Sequence, residues 1–225
     1  MDRRFSHIRD WVFDLDNCLY PASTGLFALI DERMGAYIER LLGCGPEEAK
    51  RIQKAHFHAH GTTLAGLMQE QGVDPHDFLA DVHDIPLDRV QADERLARLL
   101  GRLPGRRFVF TNGDAPYARR VLEAIGVQHH FDDLHDIHAS KLRPKPDPHG
   151  YGLLCKRFGI DPKFAILADD MVKNLVPAKA LGMTTVWVDN GSEQAGRDYD
   201  GVVVDFRTTD IGEWLESILG DENEG

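Results

Sequence analysis

The sequence predicts an α/β fold: a Rossmann-like parallel sheet with an α-helical cap inserted after the first strand. Two observations carry that prediction. In the second half of the chain, short apolar segments alternate with segments of helical period, the pattern of strands joined by crossover helices. Between the first strand and the second lies helix-period sequence too long for one crossover. A third observation says where function lies: three of the strands run into acids or a threonine.

The first strand is Trp11 to Leu15, within WVFDLDNCLYP. It runs apolar into Asp14, skips one residue and places Asp16 before a turn. Isolated carboxylates near a core are costly unless paired or bound to a cation. Residues 22–99 follow and read as almost wholly helical. FALIDERMGAYIERLLG repeats apolar residues at helix spacing, then PEEAKRIQKAHFHAHG, TTLAGLMQEQG and DPHDFLADVHD follow, each punctuated by Gly or Pro. Such an insert can be a second packing layer or a lid over the strand ends. Its length and its place directly after the acidic turn favour a lid. The expected division is a core of residues 1–21 and 100–225 and a cap of 22–99.

The second strand is Arg107 to Thr111. A helix over Asp114 to Ala124 starts on the Asp114 cap, carries Pro116 in its first turn and ends at Gly126. A weaker strand is expected over Val127 to Phe131. Asp147 and Pro148 open the next helix, with Leu153, Leu154 and Phe158 on one stripe. Phe164 to Ala168 is a strand, Met171 to Leu181 a helix closed by Gly182, and Thr184 to Val188 a strand. Val202 to Asp205 is expected as the last strand and Ile211 to Leu219 as the last helix. The acidic tail from Asp221 is expected to fray.

The 225 residues are 42% hydrophobic, enough for one or two domains with a real core. A net charge of -11 argues against general binding of nucleic-acid polymers, which needs a positive footprint. It does not exclude an anionic small substrate, because a bound cation inverts the local field. Cys18, Cys44 and Cys155 are widely spaced, which suggests a reducing compartment. No apolar run reaches the length of a membrane span, and the opening MDRRFSHIRDW has no signal-peptide core. A cytoplasmic protein with no membrane partner is expected.

In an open parallel sheet, ligands bind outside the carboxyl ends of the strands. Those ends carry Asp14 and Asp16, then Thr111, Asn112 and Gly113, then Asp169 and Asp170, and a loop supplies Lys145. Each has a plain structural role open to it: a turn cap for Asp14, a backbone bond for Thr111, a solvated charge for Lys145, a helix N-cap for Asp169 and Asp170. Together they suit one reaction. Converging carboxylates are relieved by a hard divalent cation, and magnesium suits a few carboxylates plus water and phosphate. A carboxylate can be a nucleophile through an aspartyl phosphate, a second can move the proton, and a lysine and a hydroxyl can hold the phosphoryl oxygens.

The sequence resembles the haloacid dehalogenase superfamily. DLDN at Asp14 to Asn17, FTNG at Phe110 to Gly113, PKPD at Pro144 to Asp147 and ILADDMVKN at Ile166 to Asn174 look like its four motifs in order, and the helical insert looks like its small cap. The resemblance implies Asp14 as nucleophile and Asp16 as acid/base. It implies Thr111, Asn112 and Lys145 at the phosphate. It implies Mg2+ held by Asp14, the Asp16 carbonyl and Asp170, with Asp169 ligating directly or through water, and Asn174 in support. Asp16 argues against the dehalogenases and phosphonate hydrolases of the superfamily, which lack that residue.

WVFDLDNCLYP, HAHGTTLAGLM, PKPDPHGY and DDMVKNLVPAKALGMTTVWV look like the pyrimidine 5'-nucleotidase branch, although Cys18 stands where that branch carries Thr or Ser. The branch implies a nucleoside monophosphate such as UMP or CMP as the phosphomonoester substrate, read by His56, His60, Thr62 and Thr63 of the cap, with His83 lining the mouth. The alternative is a broad small-metabolite or sugar phosphatase of the phosphoglycolate phosphatase kind. A phosphomutase and a non-catalytic phosphate sensor rank below these. His129, His130, His135 and His138 read as surface residues.

Overall fold

Trp11, Val12 and Phe13 expose no surface, so the first strand is buried on both faces. The computed structural model describes residues 1–191 and 203–220. Its strands are β1 (Asp10–Phe13), β2 (Arg106–Phe110), β3 (Asp133–His135), β4 (Ala165–Asp169), β5 (Thr184–Val188) and β6 (Phe206–Thr208). They form one sheet in the order β3-β2-β1-β4-β5-β6, and every pairing is parallel. The chain moves outward from β1 to β3, then returns to the other side of β1 for β4. Crossovers therefore leave the β1/β4 boundary in opposite directions, which opens a crevice at the carboxyl ends of those two strands.

Alternation along each strand divides the core. Trp11, Phe13, Val109, Ile166 and Val186 face one layer, and Val12, Phe108, Phe110, Leu167 and Trp187 face the other. The second layer is closed by α7 (Pro148–Phe158) and α8 (Val172–Leu181), through Tyr151, Leu154 and Leu175. The first is closed by α6 (Ala115–Ile125) and α9 (Ile211–Leu219), through Val121, Leu122, Trp214 and Leu215. Caps set the helix starts. Asp114 accepts from the Tyr117 amide at 3.2 Å, and Asp147 from the His149 amide at 2.9 Å. Each of these helices has proline in its first turn.

The insert holds α1 (Leu26–Leu42), α2 (Pro46–His60), α3 (Thr63–Gln71) and α4 (Pro75–Val82). Tyr37 of α1 meets Phe78 of α4 edge-on at 5.0 Å, and Arg40 pairs with Asp81 at 2.6 Å. A fifth helix, α5 (Glu94–Arg102), docks instead on α9: Arg95 pairs with Glu216 at 2.5 Å, and Arg102 donates to the Gly220 carbonyl at 2.8 Å.

Two strands differ from expectation. Val127 to Phe131 is not a strand; Gln128–His130 forms a 3-10 turn, and β3 begins at Asp133. Arg107 explains the delay. Its amide donates to the Asp132 carboxylate at 2.8 Å and its carbonyl accepts from the Asp132 amide at 2.8 Å, so pairing with β2 is set from Asp132 onward. The expected strand at Val202 to Asp205 is displaced to Phe206–Thr208; residue 202 and the tail from Asp221 lie outside the described residues. Asp205 turns its carboxylate back onto the Thr185 amide at 2.9 Å, which holds the chain as a loop until Phe206. One histidine also departs from the surface reading. His135 is 1% exposed, with its ring against Phe110 and Phe158.

Candidate active site

The β1 strand ends at Phe13, but the Asp14 amide still donates to the Ala168 carbonyl at 2.8 Å. That bond fixes the Asp14 backbone beside the end of β4. The chain then turns through Asn17, whose φ of 57° lies in the left-handed region that Asn tolerates better than most residues. Asp14 is buried and Asp16 half-buried at the rim. Cys18, in the same turn, points its thiol at the Ala168 carbonyl, 3.7 Å away, and burial pushes that thiol well up.

Lys145 binds the constellation together. Its ammonium donates to Asp14 Oδ1 at 2.8 Å, Asp169 Oδ2 at 2.7 Å and the Phe110 carbonyl at 2.9 Å. Asn112 holds the lysine in place. Its amide Oδ1 accepts from the Lys145 backbone N–H at 2.7 Å, and its Nδ2 donates to the Lys145 carbonyl at 3.2 Å. The Asn112 side chain thus braces the loop. Asp169, on the far side, also accepts at Oδ1 from the Met171 amide and from Asn174 Nδ2, both at 2.9 Å.

Asp14, Asp169 and Asp170 are all buried, and each offers an oxygen within 4.8 Å of the others. Burial pushes the Asp14 carboxyl well above the usual carboxylate range; Lys145 opposes that push, while Asp169, Asp170 and Asp16 add to it. Burial disfavours the Lys145 charge, but Asp14 and Asp169 outweigh it and hold the ammonium firmly protonated. Lys145 bridges Asp14 and Asp169, and Asp170 adds a third buried carboxylate beside them. The all-oxygen donor set fits a hard divalent cation such as Mg2+.

Thr111 stands at the end of β2, 1% exposed, with its hydroxyl accepting from the Gly113 amide at 2.9 Å. A Cβ at Gly113 would lie 3.2 Å from Tyr117 and 3.4 Å from the Thr111 hydroxyl, so a side chain there would have to push these neighbours back by a few tenths of an ångström.

Two tyrosines define the surroundings of Asp16, and neither stands out in the sequence. Tyr20 and Tyr117 both donate to Asp16 Oδ1, at 2.6 and 2.7 Å. Burial pushes both phenols well up, and the Asp16 charge adds to the push, so each remains a proton donor in these bonds. His83 completes the chain of contacts. Its ring stacks on Tyr117 at 4.3 Å, and its Nδ1 pairs with Asp114 Oδ1 at 2.8 Å. Neither carried a sequence signal: residues 16–20 form a turn, where i,i+4 spacing predicts no contact, and Tyr117 is 101 residues from Asp16.

The other expected cap residues turn into the insert. The Thr62 hydroxyl caps α3 by accepting from the Ala65 amide at 3.1 Å. The Thr63 hydroxyl donates to the Gln53 carbonyl at 3.5 Å. His56 is buried, and His60 Nε2 lies 2.9 Å from Glu70. The insert meets the mouth of the site through a different residue, Phe57, whose ring lies 4.1 Å from the Lys173 ammonium on α8.

The chain belongs to the haloacid dehalogenase-like hydrolases, matching that family over residues 11–182. "Phosphate metabolism protein 8" of Saccharomyces cerevisiae is 27% identical over 191 residues, 76% of this chain and 58% of the yeast protein. The chain therefore spans less than two thirds of that relative. A "Phosphoglycolate phosphatase" of Rhodospirillum rubrum is 25% identical over 221 residues, 91% of this chain and 89% of that protein. Among solved structures, a HAD phosphatase from Thermococcus onnurineus shares the fold with a TM-score of 0.64 at 20% identity, covering 95% of this chain and 98% of that one. The buried cluster of Asp14, Asp169 and Asp170 has the donor atoms to hold a divalent metal ion. No helix among the described residues is long and apolar enough to cross a membrane.

Proposed function

We propose that the protein hydrolyses a small anionic phosphomonoester of the phosphoglycolate kind, with Asp14 as nucleophile and Asp16 as proton carrier. The observation that supports this most is the Lys145 ammonium bridging Asp14 and Asp169 beside Asp170, at the β1/β4 switch point. Asp14, Asp170 and the Asp16 carbonyl would hold Mg2+, with Asp169 ligating directly or through water; the ion supplies positive charge to the phosphoryl oxygens and relieves the clustered carboxylates. Lys145 and the Thr111 hydroxyl bind the phosphoryl group, while Asn112 and Asn174 position Lys145 and Asp169. Asp14 attacks phosphorus in line and forms the phosphoaspartate. Asp16, steered by Tyr20 and Tyr117, gives its proton to the leaving oxygen and takes one from the water that releases phosphate.

The substrate reading rests on the mouth. Lys173 is half-buried there against Phe57, and burial pulls its ammonium below the usual lysine range. A substrate carboxylate would pair with it. The relatives named phosphoglycolate phosphatase match this chain over most of its length, which supports the small-metabolite reading over the nucleotide one. The pyrimidine nucleoside monophosphate reading keeps one support, the motif-by-motif likeness of the sequence. It loses Thr62 and Thr63 as base readers, since their hydroxyls bond within the insert, and His56, whose ring is buried against Gly66 of α3. We read α1 to α4 as the cap, ending before Glu94, and place the protein in the cytoplasm on its free thiols at Cys18, Cys44 and Cys155.

A magnesium-dependent phosphate-release screen over phosphoglycolate, sugar phosphates, UMP and CMP tests the reading. Phosphoglycolate is expected to lead, and Lys173→Met to raise its KM about tenfold while leaving that of an aryl phosphate without a carboxylate nearly unchanged. A panel led by UMP and CMP, with equal KM changes in Lys173→Met, returns the nucleotide reading.

A further inference from the structure

A second cluster of metal-binding side chains lies in the helical insert, apart from the sheet-end site. His56 and His60 are four residues apart on α2, so both rings project from one face of the helix. Glu70 of α3 faces them. Its Oε1 is 2.9 Å from His60 Nε2 and 3.5 Å from His56 Nδ1, and the three donor atoms all lie within 4.8 Å of one another. Donors around a tetrahedral ion at about 2.0–2.1 Å stand about 3.3 Å apart. The cluster is close to that spacing, and small rotations of Glu70, half-exposed on its helix, complete it.

Three further observations set this cluster apart from an ordinary surface ion pair. His56 is 4% exposed, and its Nε2 has no hydrogen-bond partner among the described residues. Leaving a buried imidazole nitrogen unbonded is costly. Gln71 Oε1 is also buried without a partner, and Gln71, His56 and Glu70 line one cleft of about 240 Å³. Histidine ligands commonly donate their second ring N–H to a carbonyl or carboxylate, and Gln71 supplies an acceptor in that cleft. Finally, the His56 ring fits only because residue 66 is glycine: a Cβ there would lie 2.4 Å from the ring. Any side chain at 66 would displace the ring from Glu70.

We propose that His56, His60 and Glu70 form a transition-metal site, with zinc as the fitting ion, that fastens α2 to α3. Two imidazoles and one carboxylate are a donor set for Zn2+ and not for Mg2+, which prefers oxygen and retains water. The two sites of the molecule thus differ in metal preference: all-oxygen at the sheet ends, nitrogen-rich in the insert. The inference does not depend on the substrate reading.

Titration of the full chain with Zn2+, and separately with Co2+, in excess Mg2+ tests it, read by equilibrium dialysis and by Co2+ visible absorption. One equivalent of zinc is expected to bind with the Mg2+ present, and Co2+ is expected to give a four-coordinate spectrum. His60→Ala and Glu70→Gln should each weaken that equivalent at least about 100-fold. His58→Ala, which removes an exposed imidazole from the same helix, should leave it unchanged. Zinc binding wholly displaced by Mg2+, or an equivalent that survives both His60→Ala and Glu70→Gln, would overturn the proposal.

Discussion

The rim of the sheet and the helical insert use their polar residues in opposite ways. At the rim, Lys145, Asp14 and Asp169 lie buried against one another and bind across the sheet, so that one ammonium serves two strand ends. In the insert, Thr62 and Thr63 bond within their own helices or to the next one, and the ion pairs Arg40–Asp81 and Arg51–Glu48 lie at the surface. A rim charge has no alternative partner in solvent, so its removal exposes the full cost of burial. The exposed ion pairs of the insert have water nearby, so removing one of their residues costs little beyond one local bond. Buried charge is therefore concentrated at the rim, where substitution is least tolerated.

The largest expected effect sharpens the rim side of that contrast. Asp14→Asn should lower kcat by about 10⁴-fold or more with the far-ultraviolet dichroism unchanged, measured by phosphate release. Residual turnover near wild type would remove Asp14 from the nucleophile role. Next, Lys145→Met leaves Asp14 and Asp169 without their cation. In metal-free buffer it should cost about 3–5 kcal/mol in urea unfolding, far more than any single exposed charge of the insert.

An acid titration separates the regions again. Burial, with Arg157 nearby, holds His135 down to about 4, and it is neutral in the folded core. In the unfolded chain it titrates near the usual value of about 6.5. Its contribution is intact above about pH 6.5 and is lost as pH falls toward about 4, because the unfolded state binds the proton first. The wild type should lose up to about 3 kcal/mol over that interval beyond what His135→Phe loses, read from urea midpoints at both ends. Parallel curves for the two proteins would show that the ring is not carried neutral.

Smaller effects follow. Tyr117→Phe removes one of the two donors on Asp16 and should slow turnover of poor leaving groups about tenfold, with activated aryl phosphates less affected. Equal losses on both would argue that Tyr117 acts on packing alone. Thr62→Ala should cost about 1 kcal/mol of stability through its lost N-cap and leave substrate ratios unchanged. A changed ratio would return Thr62 to the substrate face.

How far the sequence could be read follows from the same contrast. Parallel topology brings strand ends to one rim whatever the loops do, so Asp14, Thr111, Asp169 and Asp170 were legible as one group from their places after apolar segments, and Lys145 only through the motif of its loop. Asn112 was legible as present but not as a brace, because its use depends on the path of the Lys145 loop. Tyr117 was invisible, since a hydrogen bond to Asp16 across 101 residues leaves no local pattern. The edges of the sheet were less legible than its centre. At β3 and β6, the side chains of Asp132 and Asp205 set where pairing starts, and hydropathy does not record such bonds. In the insert, helix period identified the helices, but the same period does not tell a face turned to substrate from a face turned to a neighbouring helix.

The most direct measurement is to stop the reaction with acid during turnover of an activated aryl phosphate, when breakdown of the intermediate limits the rate, and map the phosphorylated peptide. The phosphoryl group should be found on Asp14, at the tip of β1. Phosphate on another side chain, or a burst of leaving group with no phosphoryl group on the protein, would contradict the assignment on which the whole site is built.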